Sequence, residues 1–189
     1  MPKSEGVLYR LAEPQAGYFT TAQAQGDHVS RQQLWYLQQT GAIERAAHGV
    51  YRLTRFPAQR FEDLVVACLW AGPDAVVSHE TALIVYGVGD AMPPTIHLTV
   101  PRRFRGRRPG ITVHLAPLED DERTVRDAVP VTTVDRTLVD VAQRSDPDLA
   151  DRAARVALAT GLTTRTRLRR RIHGHEEGQR VLAAALASA

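Results

Sequence analysis

Three observations predict an α+β fold in two parts. The first 56 residues set short, well-capped helical segments ahead of a pair of strand-like runs. Alternating β-branched residues return at 95–100 and 111–115. Amphipathic stretches at helical spacing then fill the chain to its last residues. The expected architecture is a winged helix-turn-helix domain over residues 1–56. A mixed α/β domain over 57–189 follows, with a small sheet and C-terminal helices.

Ser4 to Ala12 carries Val7, Leu8 and Leu11 at helical spacing, and Pro14 and Gly17 end that segment. Thr20 is the expected N-cap of a short helix through Gln25, and Gly26-Asp27 signals a turn. The next helix start is more complete. Ser30 as N-cap and Gln33 three positions later form a capping box, with Val29 and Leu34 as the hydrophobic staple. This helix is expected to run to Thr40 and to close at Gly41.

Projected as a helix, Leu34 and Leu37 lie on one side, while Arg31, Gln32, Trp35, Tyr36 and Gln39 lie on the other. Arginine and glutamine make bidentate pairs with guanine and adenine, and the N-terminal residues of such a helix lead in docking. Arg31 and Gln32 are therefore the first candidates for base contact, with Gln39, Trp35 and Tyr36 after them. The two aromatics have an alternative, packing against the first helix. Ala42–Arg45 and Val50–Leu53 read as a hairpin around Ala46-Ala47-His48-Gly49, the wing. Arg45, His48 and Arg52, at or near its tip, are candidates for phosphate or minor-groove contact.

Arg55-Phe56-Pro57 reads as a boundary, followed by an amphipathic helix from Phe61 to Trp70 with Cys68 on its apolar side as a buried, inert thiol. Ser78 is expected to cap a helix through Tyr86. The strands 95–100 and 111–115 read as a hairpin whose connection holds Arg102, Arg103, Arg105, Arg107 and Arg108. That connection is either a phosphate-seeking arm, a surface for an acidic protein, or a solvated loop. Glu119–Glu122 is expected to be exposed, and Asp135 to favour the start of a helix whose apolar stripe is Val134, Leu138, Val141 and Ala142. Helices are further expected at 148–160, at 165–172 behind Thr163-Thr164, and at 176–187.

Composition removes several function classes. A single cysteine excludes a disulfide framework, and His173 and His175 lack a third convergent ligand, so no metal site is expected. No apolar run reaches the roughly 18 residues of a membrane span, and the N-terminus lacks a signal peptide's apolar core, so a soluble cytoplasmic protein is expected. There is no P-loop, nucleotide-binding glycine fingerprint, nucleophile elbow or HExxH, which favours binding over catalysis; no catalytic residue and no cofactor are expected. Of 24 basic residues 23 are arginine. They fall in blocks: net +2 over 1–56, −4 over 57–100, +5 over 101–115, −6 over 116–151 and +6 over 152–189. Such blocks either serve separate partners or neutralise one another in the fold.

Gly26–Leu34, Gly49–Leu53, Ser78-His79-Glu80-Thr81-Ala82-Leu83, Ile96–Pro101 with its following arginines, and Thr132–Asp140 together resemble the AbiEi antitoxin family of type IV toxin–antitoxin systems. The resemblance spans about residues 15–145. It implies an N-terminal winged helix-turn-helix that binds inverted repeats of double-stranded DNA in its own promoter. It also implies an antitoxin domain, here 57–189, that counters a nucleotidyltransferase-type, AbiEii-like toxin directly or indirectly. A monomer or weak dimer in solution is expected. Longer relatives carry a nuclease-like C-terminal domain, which is not expected here. The other reading of the residues is a stand-alone regulator whose C-terminal part dimerises or senses a ligand.

Overall fold

The capping signals at 20–41 set two helices in the computed structural model, which describes residues 3–144 and 147–187. The chain divides into two units, Met1–Ala75 with Asp127–Val129, and Val76–Arg126 with Pro130–Ala189.

The first unit opens with α1 (Lys3–Ala12), a 3₁₀ turn (Glu13–Gln15), β1 (Tyr18–Thr20), α2 (Thr21–Gly26) and α3 (Arg31–Gln39). Both N-caps are reciprocal. The Gln23 N–H donates to Thr20 Oγ1 at 3.1 Å and the Thr20 N–H to Gln23 Oε1 at 2.8 Å. Ser30 and Gln33 repeat the pattern at 3.2 and 2.8 Å. The turn between the helices places His28, not Gly26, in the left-handed region, at φ +64°. The staple residues Val29 and Leu34 enter a core with Leu8, Phe19, Leu37, Ile43 and Leu53.

The wing is β2 (Ile43–Ala47) and β3 (Val50–Leu53), and β1 joins it to give the strand order β1-β3-β2. With only three residues, β1 is too short to show alternation in the sequence. It is positioned by Gly17, at φ +87°, where a Cβ would come within 2.6 Å of the Phe56 side chain. Only glycine fits there.

Helix α4 (Glu62–Ala71) buries Leu64 through Cys68 consecutively, so it is covered on more than the one face expected. It packs on β1, β2 and β3, and the Tyr18 hydroxyl donates to Glu62 Oε2 at 3.0 Å. The first unit therefore continues through α4 to Ala75, beyond the boundary expected at Pro57. Cys68 is buried, as its apolar position requires.

The second unit comprises β4 (Val76–Val77), α5 (His79–Tyr86), β5 (Ile96–Val100), β6 (Ile111–Leu115), a 3₁₀ turn (Asp120–Glu122), β7 (Arg123–Arg126), β8 (Val129–Thr132), α6 (Val134–Arg144), α7 (Pro147–Ala159), α8 (Arg165–Ile172) and α9 (Glu176–Ala187). The sheet order is β6-β5-β4-β8-β7. β5 and β6 are parallel, from Ile96 opposite Ile111 to Val100 opposite Leu115, which corrects the expected hairpin. Alternation reports burial of a face, not strand direction. A parallel partner requires the chain to travel back about 17 Å, well within the reach of the connecting segment 101–110. On α7, Ala150, Ala153, Ala154 and Ala157 are fully buried and let α9 pack closely.

Candidate nucleic-acid interface

Helix α3 commits only Leu34 and Leu37 to the core; its other seven residues are exposed. Trp35 and Tyr36 are 62% and 61% exposed, which excludes their packing against α1. Arg31, Gln32, Trp35, Tyr36 and Gln39 thus share an open face on a helix that carries no carboxylate. The capping box fixes where that face begins, with Gln33 held at Ser30 and Arg31 and Gln32 left uncapped beside it.

The wing turns at His48-Gly49, with Gly49 at φ +72°. The Thr21 N–H donates to the Gly49 carbonyl at 2.9 Å, tying the wing tip to the start of α2. A bulge between Arg45 and Ala47 distorts β2, and Arg45 Nε donates to the Ala47 carbonyl at 3.2 Å. Arg45 Nη2 lies 3.1 Å from His48 Nδ1, so these two exposed side chains form one basic tip.

Arg52 is placed differently. It lies opposite Tyr18 and Glu44, at the end of β3 away from the tip. Its guanidinium is 3.3 Å from Glu44 and 3.6 Å from Glu62, and donates to the Phe56 carbonyl at 2.8 Å. With its side chain 15% exposed, it ties β3 to β2 and α4 rather than offering charge to a ligand. Burial and the Glu62 carboxylate together push the neighbouring Tyr18 phenol up to about 12.

Arg102, Arg103, Arg105 and Arg107 are exposed in the second unit, while Arg108 is half-buried. They line the link between two parallel strands, not a hairpin tip. The acidic run is also not wholly exposed. Glu122 is buried and receives Arg136 Nη1 and Arg171 Nη1, each at 2.8 Å. Arg136 Nε also reaches Asp140 Oδ1 at 2.8 Å; burial nevertheless raises the Asp140 carboxyl above its usual range. Asp135, expected to act on the helix start, is buried and takes hydrogen bonds from Thr163 and Arg167. Ser78 sits at the N-cap position of α5, but its hydroxyl is engaged by Thr99 and His79 instead of the helix backbone. His173 and His175 are both exposed.

His79, His97 and His114 come together in the second unit although no local pattern in the chain pairs them. They lie far apart in the chain with no ligand spacing, and only the order and direction of β4, β5 and β6 juxtapose them.

The element that offers the open face, α3, lies inside the segment that comparison with known families recognises. Residues 7–54 match the family described as "Transcriptional regulator, AbiEi antitoxin". That matched segment takes in the last six residues of α1 and everything from there to the end of β3. One of the solved structures, the RV2827C protein from Mycobacterium tuberculosis, is similar in fold at a TM-score of 0.55 and 15% identity. The likeness covers 98% of this chain and 78% of that one, so it extends the shared fold well past the AbiEi segment. No curated protein sequence matches the chain. Among the described residues, no helix is long and apolar enough to cross a membrane.

Proposed function

We propose that this protein is the antitoxin and transcriptional autorepressor of a type IV toxin–antitoxin operon. Its first unit reads inverted repeats in the operon's own promoter, and the rest of the chain counteracts a nucleotidyltransferase-type toxin. The protein works in the cytoplasm, as a monomer or weak dimer, and needs no cofactor for either role.

The observation that carries this reading is the open face of α3 within the AbiEi segment. An exposed Trp35–Tyr36 pair is costly to leave in water unless something covers it. Arg31 and Gln32 at the helix start supply the donors and acceptors that major-groove base edges match. Arg45 and His48 at the wing tip are placed to hold phosphate, which fixes register without specifying sequence.

Binding of the full chain to its own upstream DNA, measured by fluorescence anisotropy at two salt concentrations, tests the reading. Preference for that DNA over a scrambled duplex is expected. Arg31→Ala should weaken specific binding by about 1–3 kcal/mol while leaving non-specific binding nearly unchanged. Unaltered specificity in both Arg31→Ala and Gln32→Ala would overturn the assignment of α3. Co-expression with the neighbouring toxin gene tests the second role, and persistent toxicity beside the full chain would overturn it.

A further inference from the structure

Among the described residues, three histidines of the second unit converge from separate elements. His97 in β5 and His114 in β6 lie on one face of the sheet, because the parallel register sets His97 opposite Thr112 and Thr99 opposite His114. His79 opens α5, and the Ser78 N–H donates to the His97 carbonyl at 3.0 Å, which brings His79 alongside. One ring nitrogen from each of the three lies within 4.8 Å of the others. The His114 Nε2 to His97 Nδ1 separation is 3.1 Å, and the His79 and His114 rings stack with centroids 3.8 Å apart. Imidazole donors around a tetrahedral ion sit about 3.3 Å from one another, given metal–nitrogen bonds near 2.05 Å. The shortest edge already meets that, and side-chain rotation closes the longer ones.

The hydrogen bonds of this cluster are frustrated when the three rings are neutral and unligated. Arg144 Nη1 stands 2.9 Å from His114 Nδ1, and arginine only donates, so the proton of His114 is on Nε2 and points to His97 Nδ1. His97 Nδ1 must then accept, yet Glu80 Oε2 lies 3.3 Å from the same nitrogen. A carboxylate oxygen faces a lone pair there. Placing the proton on His97 Nδ1 instead satisfies Glu80 but sets donor against donor at His114. His79 also holds a left-handed backbone at φ +53°, a conformation non-glycine residues keep when their surroundings demand it.

We propose that His79, His97 and His114 form a binding site for a divalent transition ion of the zinc type, with a fourth position left for water or the Glu80 carboxylate. Imidazole suits zinc, cobalt and nickel, and it ligates only when neutral. Ser78 Oγ, 2.9 Å from His79 Nδ1, orients that ring and leaves Nε2 for the ion. Arg144 competes with the metal, because His114 Nδ1 must carry the proton once Nε2 is bound.

Titration of chelator-treated full-length protein with Co²⁺ and Zn²⁺ tests this. One equivalent per chain, visible d–d bands with Co²⁺ and a raised Tm with Zn²⁺ are expected. His97→Gln and His114→Asn should each abolish the bands, with far-UV circular dichroism confirming the fold, and Arg144→Ala should bind more tightly. The double variant His173→Gln/His175→Gln should bind as the parent does. No bands in the parent, or bands that survive in a folded His97→Gln variant, would overturn the site. So would their loss in the His173/His175 variant. These readouts do not involve DNA or toxin, so they stand or fall apart from the regulatory proposal.

Discussion

Arg31 on α3 and Arg136 on α6 are the same side chain put to opposite uses. Around Arg31 the helix offers glutamines and aromatics but no carboxylate, and the residue stays exposed. Around Arg136 stand Glu122 and Asp140, and its side chain is 14% exposed. What a basic residue does is therefore set by which acids the fold brings to it. The −6 and +6 blocks of the C-terminal half partly cancel in this way, through Arg171 with Asp121 and Glu122 and through Arg167 with Asp135. Two of the arginines in α8 are thereby tied to carboxylates, while the +2 segment 1–56 keeps an open face.

The largest expected effect breaks the tie. Glu122→Ala removes the carboxylate between Arg136 and Arg171 and leaves two guanidinium groups facing a half-empty site. Removing one partner of a buried pair costs about 3–5 kcal/mol. Urea unfolding should therefore show a markedly lower midpoint, and promoter binding of the remaining folded protein should be unchanged. A loss below about 1 kcal/mol would place this network with ordinary surface pairs.

The same contrast is repeated inside the wing, at smaller scale. Arg52→Ala should cost about 1.5–3 kcal/mol of stability, since it deletes hydrogen bonds from a charged donor to Glu44 and Phe56. It should leave the salt dependence of DNA binding intact. Arg45→Ala should do the reverse: stability within about 0.5 kcal/mol, and a salt slope reduced by about 1. Chemical denaturation and anisotropy across a salt series check both. A reduced slope in Arg52→Ala would restore that residue to the DNA-facing set.

How far the sequence led follows from the range over which each signal acts. The start of α3 was legible because Ser30, Gln33, Val29 and Leu34 encode it within a few neighbouring positions. The helices α6 to α9 were legible for the same reason, through local periodicity and the Thr164 cap. What escaped needed information from afar. β1 is a strand only because β3 is there to pair with it. The parallel direction of β6 is decided by where β5 and β4 already lie. Arg52 looked like its neighbour Arg45 until Glu62, from a helix placed beyond the expected boundary, came to meet it. Glu122 looked like the other acids in its run until Arg136 and Arg171 arrived from two helices.

The smallest expected effect concerns the 101–110 link, which the contrast leaves on the open side. Both of its ends are fixed by parallel strands, and Phe104 and Arg108 are partly buried along it, so it cannot swing freely as a long hairpin tip would. Arg103 and Arg105 remain exposed between those anchors. If they meet phosphate, they do so as a fixed ledge, adding a contribution that ignores sequence. Arg103→Ala/Arg105→Ala should then lower the salt slope by about 0.9 for each phosphate no longer neutralised. The ratio of specific to non-specific binding should stay as it was, because that ratio rests on α3. A changed ratio would mean that the link reads bases, and an unchanged slope would turn its charge away from DNA towards an acidic protein surface.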